Sequence, residues 1–190
     1  MFMKKHPTLV VEHCEPILSE WLLLEYKHAV VIWENEVVFT RVTKKTANVL
    51  KNIGRIEKEK AQDIFSHKSS VVLDPQAEKP LTPSDCKKFD VIIVGGLLGY
   101  EKPKGRTKKM ISNRSDFQQR NLGPYQLSID GAVFVAKAIC LGMTLKDIEI
   151  ASEIEIIHDK VHSTILPFGY PVIQNILIIT PGLVEYLEKL

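Results

Sequence analysis

The chain has 190 residues, 45% of them hydrophobic and 25% charged, with a formal net charge of +2. This length suits one domain and this balance an ordinary globular protein, which excludes disordered, collagen-like and disulfide-scaffold classes. No apolar run approaches the roughly 18 residues of a membrane span, and Thr8-Leu9-Val10-Val11-Glu12 is too short and too soon charged for a signal peptide, so a cytoplasmic chain is expected.

In chain order, Thr8 to His13 is rich in β-branched residues and predicts a buried first strand. Ser19-Glu20-Trp21 opens a helix with Ser19 as N-cap and Leu22, Leu23 and Tyr26 on its buried face. Val30 to Trp33 and Val37 to Thr40 are expected as strands around the turn Glu34-Asn35-Glu36. Thr43 to Ile53 predicts a helix stopped by a left-handed Gly54, and Lys58 to His67 a further, mostly polar helix. Ser69 to Leu73 is a short strand ending in Asp74-Pro75. Leu81 to Phe89 holds a short helix announced by Thr82-Pro83-Ser84-Asp85. The strand from Val91 follows, then a helix over Ser128 to Leu141 closed by Gly142. Asp147 to Ala151 and Ile176 to Ile179 are the last strands, and Pro181 precedes a helix from Gly182 to Leu190. Strand and helix alternate throughout, so an α/β layered fold with a mostly parallel sheet, in one domain over 1–190, is expected.

Cys14, Cys86 and Cys140 are widely spaced and contain no C-x-x-C, so neither a disulfide framework nor a zinc site is expected. His158 and His162 lie four apart, a spacing that puts two ligands on one helical face, but no third ligand cluster accompanies them and no metal is expected. The most informative stretch begins at Asp90. Val91-Ile92-Ile93-Val94 delivers Gly95-Gly96-Leu97-Leu98-Gly99 at the carboxyl end of a strand, the edge where α/β sheets bind nucleotide-like ligands. Glycines there let backbone groups approach a flat ligand. The turn has neither G-x-G-x-x-G spacing nor a P-loop Gly-Lys-Ser/Thr, so a ligand without phosphates, such as S-adenosylmethionine, fits better. From Glu101 to Arg120 seven Lys/Arg (Lys102, Lys104, Arg106, Lys108, Lys109, Arg114, Arg120) face only Glu101 and Asp116, a local +5 that leaves −3 for the rest. Such a tract is either a nucleic-acid or ribonucleoprotein contact or a solvated loop, and it lacks the interleaved aromatics that stack bases.

Several short motifs occur together. They are Glu12-His13, Ser19-Glu20-Trp21, Glu25-Tyr26, Leu73-Asp74-Pro75 with Ala77, and Leu81, Pro83, Asp85 and Phe89-Asp90 before the glycine turn. Beyond it come Pro103, Arg106-Thr107, Leu122-Gly123, Gln126, Asp130, Ala132, Pro167-Phe168 and Tyr170. In this order, over nearly the whole chain, they resemble the SPOUT-class methyltransferase family that contains the fungal ribosomal-protein arginine methyltransferase and archaeal members described as predicted RNA methyltransferases. The resemblance implies a mostly parallel sheet flanked by helices with a C-terminal trefoil knot. It implies S-adenosylmethionine held by three loops: Leu73, Asp74 and Pro75; Gly95, Gly96, Leu97 and Gly99; and Leu122, Gly123, Gln126, Leu127 and Ser128. Two departures stand out: Tyr100 occupies a place that is acidic in the relatives, and Leu127 one that is Met.

The implied activity is methyl transfer to an arginine of a ribosomal protein. The alternatives are a ribosomal or transfer RNA methyltransferase of the same fold, and a catalytically silent ribosome- or RNA-binding module. For a guanidinium acceptor a carboxylate that forks onto it is wanted; for an RNA hydroxyl, a base or an activating Arg. The catalytic candidates are Glu12 at the end of the first strand, Glu20, Asp130 and Arg106. Each has a structural alternative: Glu20 and Asp130 as helix-start carboxylates, Arg106 and Arg120 as solvated cations, His13 as a hydrogen-bonded packing residue and Trp21 as core. Monomer and homodimer both remain open.

Overall fold

The computed structural model describes residues 6–34, 36–99 and 104–189. Tyr100 and Lys102, on which parts of the sequence reading fall, lie outside the described residues. Eleven strands, seven α-helices and two short 3-10 helices are described, and six of the strands form one wholly parallel sheet. These are β1 (Thr8–His13), β2 (Val37–Thr40), β3 (Arg55–Ile56), β4 (Ser70–Leu73), β5 (Val91–Gly96) and β6 (Gln118–Arg120), in the order β3-β2-β1-β5-β4-β6. β1 lies centrally, with Leu9 opposite Val37 on one side and Ile92 on the other.

Alternation along the strands divides the core. Leu9, Val11, Leu73, Ile92 and Val94 face one layer, and Val10, Val38, Val72 and Ile93 the other. The first layer is built by α1 (Glu20–Trp33), which packs on the later helix α6 (Ile129–Cys140). The second holds Ala61 from α3 (Ala61–Ile64), and Met110 and Ile111 at the end of α5 (Arg106–Met110). Strands buried on both faces explain the near-continuous apolar runs at β1 and β5. Burying a side chain the size of Tyr26 or Phe39 contributes about 1.5–3 kcal/mol.

Ser19 caps α1, its hydroxyl accepting from the Leu22 amide at 3.2 Å. The helix does not stop before Val30: the expected strand Val30–Trp33 is its last turn. Leu22, Tyr26, Ala29 and Trp33 form one buried stripe at helical spacing, and the Trp33 indole donates to the Pro7 carbonyl at 3.0 Å. Tertiary burial of Trp33 outweighs the β-propensity of Val30-Val31-Ile32, and Val31 is 70% exposed. Glu34 ends the helix at φ 56.

The helix expected over Thr43–Ile53 is α2 (Lys44–Leu50), capped by Thr43. Gly54 is not left-handed; it is a close-approach residue whose Cβ would lie 2.8 Å from both the Phe39 ring and the Val37 carbonyl. Only Ala61–Ile64 of the polar helix expected over Lys58–His67 is helical. α4 (Asp85–Lys88) follows its Thr82-Pro83 signal, and α6 is capped by Ser128 and followed by Gly142 at φ 112.

The carboxyl-terminal part departs most from expectation. β7 (Glu149–Ala151), β10 (Tyr170–Ile173) and β11 (Ile176–Leu177) make an antiparallel three-stranded sheet. β8 (Ile154–Ile157) and β9 (Ser163–Leu166) make a separate antiparallel hairpin, and α7 (Leu183–Leu187) follows. His158 and His162 share no helical face; they close the hairpin turn, the His158 amide donating to the His162 carbonyl at 3.0 Å. Among the described residues no group of three His, Cys, Asp or Glu could hold a metal, and no helix is long and apolar enough to cross a membrane. The three cysteines are buried, and none of them is in a disulfide.

Candidate active site

At the carboxyl edge of β4 and β5 three loops close around an apolar cavity of about 260 Å³. That is near the lower end of the roughly 300–1,000 Å³ usual for small-molecule sites. One wall is Leu73, Asp74, Pro75 and Gln76 after β4; a second is Gly95, Leu97, Leu98 and Gly99 after Val94; the third runs from Leu122 to Ile129 into Ala132 of α6. Eleven of the twelve residues assigned to a cofactor line this space.

Gly96 is the exception, and its assignment is corrected. It is buried and turned from the cavity, and a Cβ would overlap the Tyr26 hydroxyl and sit 3.0 Å from the Glu12 carbonyl. Gly96→Val is therefore expected to damage the core rather than shut the site. Overpacking of this kind costs about 1–3 kcal/mol or more, and a urea melt with an unchanged midpoint would contradict the placement. Gly95 does line the cavity, where a Cβ would crowd Leu97 and Thr107 at 3.3 Å.

The walls are anchored from outside. Asp74, buried, accepts from the Gln76 amide at 2.9 Å and from the Ser112 hydroxyl at 2.5 Å. The Gly169 amide donates to the Gln126 carbonyl at 2.8 Å, and Phe168 packs against the position a Gly99 side chain would take. Phe168 and Gly169 thus clasp the second and third loops from the segment that enters β10. The third loop is also held by Glu25, which accepts from the Ile129 amide at 2.9 Å and from the Trp21 indole at 2.6 Å.

Of the four catalytic candidates, only Arg106 reaches the cavity. Glu12 sits on the Val10 face of β1, where it accepts from the Thr40 hydroxyl at 2.5 Å and the Ala61 amide at 2.8 Å, so it is a junction inside the second layer. Glu20 is exposed at the first position of α1, the helix-start alternative. Asp130 is buried, taking His28 at 2.7 Å and the Thr180 hydroxyl at 2.5 Å, and ties α6 to α1 and the carboxyl-terminal segment. His13 pairs with the Tyr26 hydroxyl at 3.0 Å, and burial holds its imidazole below the ordinary value, the behaviour of a packing residue. Arg120 forks onto Asp85 at 2.9 and 3.0 Å, away from the cavity.

Glu15 went unread in the sequence, and Thr107 was read only as part of a motif, with no place in the site. Glu15 accepts both arms of Arg106, at 2.7 and 3.1 Å, and the Leu98 amide at 3.0 Å. Thr107 lines the cavity beside them. Glu15 follows the end of β1 and lies 91 residues from Arg106, so no local pattern joins the two.

Burial, reinforced by the charge of Asp130, pushes the Glu25 carboxyl up to about 8. A carboxyl raised in the native state binds more protons there than in the unfolded chain, so its contribution is largest in acid and is lost as pH rises towards 8. Stability is expected to fall between about pH 5 and 8, by no more than about 1.4 kcal/mol per pH unit for one proton. Chemical denaturation across that range measures it, and Glu25→Gln should flatten the slope.

Parallel strands, a cleft at their carboxyl edge built from three separated loops, and an Arg-carboxylate fork beside it define an α/β protein with a small-molecule site at the edge of its sheet. The chain belongs to the family described as protein arginine N-methyltransferase SFM1-like, whose model matches residues 8–190. It is 28% identical to protein arginine N-methyltransferase SFM1 of Saccharomyces cerevisiae over 95% of this chain and 93% of that one. The crystal structure of yeast SFM1 complexed with SAM superposes with a TM-score of 0.86 at 25% identity, covering 97% of this chain and 91% of that one. A Trm10 structure from Thermococcus kodakaraensis shares the fold, with a TM-score of 0.55 at 13% identity over 74% of this chain and 96% of that one.

Proposed function

We propose that the chain is an S-adenosylmethionine-dependent methyltransferase acting on an arginine side chain of a ribosomal protein. The observation that carries this is the three-loop cleft itself, found in a chain of the SFM1-like family. Its walls suit the cofactor: Leu73, Leu97, Leu122 and Leu127 are apolar enough to face an adenine, and the glycine turn exposes backbone groups between them. When bound, S-adenosylmethionine supplies an electrophilic methyl on a sulfonium sulfur. Arg106, held by Glu15, is assigned to position the cofactor carboxylate or the acceptor. Asp74 and Glu25 fix the loops, which is the orientation on which an in-line displacement depends.

Two of the seven cations in the basic tract, Arg106 and Arg120, are committed to Glu15 and Asp85, which weakens the tract as a phosphate-binding surface. The knot implied by the resemblance belongs to the same reading, supported by a strand order that places β5 inside β4 and β6 outside it. So does one domain, supported by a family match over 8–190, and a cytoplasmic location, supported by three buried cysteines outside any disulfide. The test is incubation with labelled S-adenosylmethionine and ribosomes from the chain's own source. Label that survives ribonuclease and is released as methylarginine on protein hydrolysis is expected; label confined to RNA would overturn the arginine acceptor.

A further inference from the structure

The outer face of the β8–β9 hairpin has a composition that the cleft does not account for. Period-two alternation turns Ile154, Ile156 and Leu166 inward, onto Phe168, Tyr170 and Leu183. The same alternation turns Glu155, Ile157, Ser163 and Ile165 outward, with Glu155 opposite Ile165 and Ile157 opposite Ser163. Ile157 is 73% exposed, Ile165 60%, and Val161 in the turn 83%. A solvated ribbon face is ordinarily polar, so three large β-branched apolar side chains on so small an area mark an interaction surface.

The segment that leads into and forms this face is acidic. Asp147, Glu149, Glu153, Glu155 and Asp159 are all exposed, and Lys160 is the only Lys or Arg between residues 147 and 166. The two strands pair with each other and with no third strand among the described residues, so their outer edges present backbone donors and acceptors that an added strand would use. Beyond Leu166 the chain runs straight to Phe168, which packs against Gly99 on the cavity wall. The hairpin therefore leads to the wall of the site.

We propose that this face docks an extended, basic segment of the acceptor protein, adding it as a strand along the hairpin edge. Its alternate aliphatic side chains would meet Ile157, Val161 and Ile165, and its Lys and Arg the carboxylates of this acidic segment. The proposal rests on the reading that the acceptor is a protein. The charge selects that class of partner, because the same five carboxylates repel a phosphate backbone.

Two outward-facing double variants test it: Ile157→Ser with Ile165→Ser, and Glu149→Lys with Glu153→Lys. The acceptor is RNA-free ribosomal protein from the chain's own source, with labelled S-adenosylmethionine. The expected result in both is a KM for the acceptor raised about tenfold or more, with kcat and the calorimetric cofactor Kd within about threefold. Hydrogen exchange of the wild type should show protection of residues 154–166 when that protein fraction is added. An unchanged KM in both variants overturns the proposal. So does protection by ribosomal RNA instead, or a sedimenting dimer of the chain alone that the isoleucine variant abolishes. If the wild type methylates no protein, the proposed function fails separately, and the exchange experiment still decides: protection by the protein fraction supports docking and its absence overturns it.

Discussion

Replacing Glu15 with glutamine is expected to slow methyl transfer about 100-fold, a loss of about 2.7 kcal/mol. Glu15 holds three donors, two from Arg106 and the Leu98 amide, and the side chains of the pair are only 13% and 21% exposed. Removing one charge from a fully buried pair costs about 3–5 kcal/mol, and this partly wet pair falls below that range. Glutamine keeps one acceptor oxygen but points an NH₂ at a guanidinium that has only donors to offer. Leu98 and the start of α5 then lose their common anchor, and both are walls of the cleft. Arg106→Gln should cost about as much by removing the other half of the fork. Arg106→Lys should cost about tenfold, because an ammonium keeps the charge without the bidentate geometry. The double variant Glu15→Gln with Arg106→Gln decides whether the pair acts as a unit. Its transfer rate should lie near that of either single variant. Multiplicative losses in single-turnover transfer would show two independent roles. Thermal melts of each variant separate a damaged site from a damaged fold.

Some of this site was legible in the chain, and for identifiable reasons. Val91 to Gly99 is a β-branched run ending in glycines, and buried parallel strands require such a run, so its place at the sheet edge follows from composition alone. The loops at Leu73–Pro75 and Leu122–Ser128 carry no such local mark; only the order of motifs in the resemblance joined them to the glycine turn. Glu12 was misplaced because a strand alternates its side chains. Two positions after Val10, it shares the face turned to Thr40 and Ala61. Asp130 was misplaced because the first turn of α6 faces α1 as well as the cleft, and His28 and Thr180 claim its carboxylate. Val30–Trp33 misled because β-branched residues are compatible with a helix once a Trp on its inner stripe is buried. Of the antiparallel carboxyl-terminal strands, β8, β9 and β10 escaped because each spans four residues, too few for alternation to separate a strand from a loop.

Ala132→Phe is expected to weaken S-adenosylmethionine binding about 100-fold or more while the chain stays folded. Ala132 stands one turn into α6, half-buried, on the wall that follows Ser128 and Ile129. A side chain there points back towards the helix start, as side chains on helices do, and so towards the loop from Leu122 to Leu127. A benzyl group would occupy a large part of a cavity of about 260 Å³. A flat heterocycle and an added ring cannot share the space, and losing the contacts of one buried aromatic group is worth about 3 kcal/mol or more, which is two decades in Kd. The fold should tolerate the change because the ring enters a cavity rather than packed core, and because phenylalanine costs a helix only about half a kcal/mol relative to alanine. Calorimetry with S-adenosylhomocysteine, which shares the adenosine moiety, reads the effect without turnover. Wild-type affinity in this variant would place the cofactor outside the three-loop cleft. A Gly96→Val variant that still bound would then fit either placement, so Ala132 is the position at which the assignment of the site is decided.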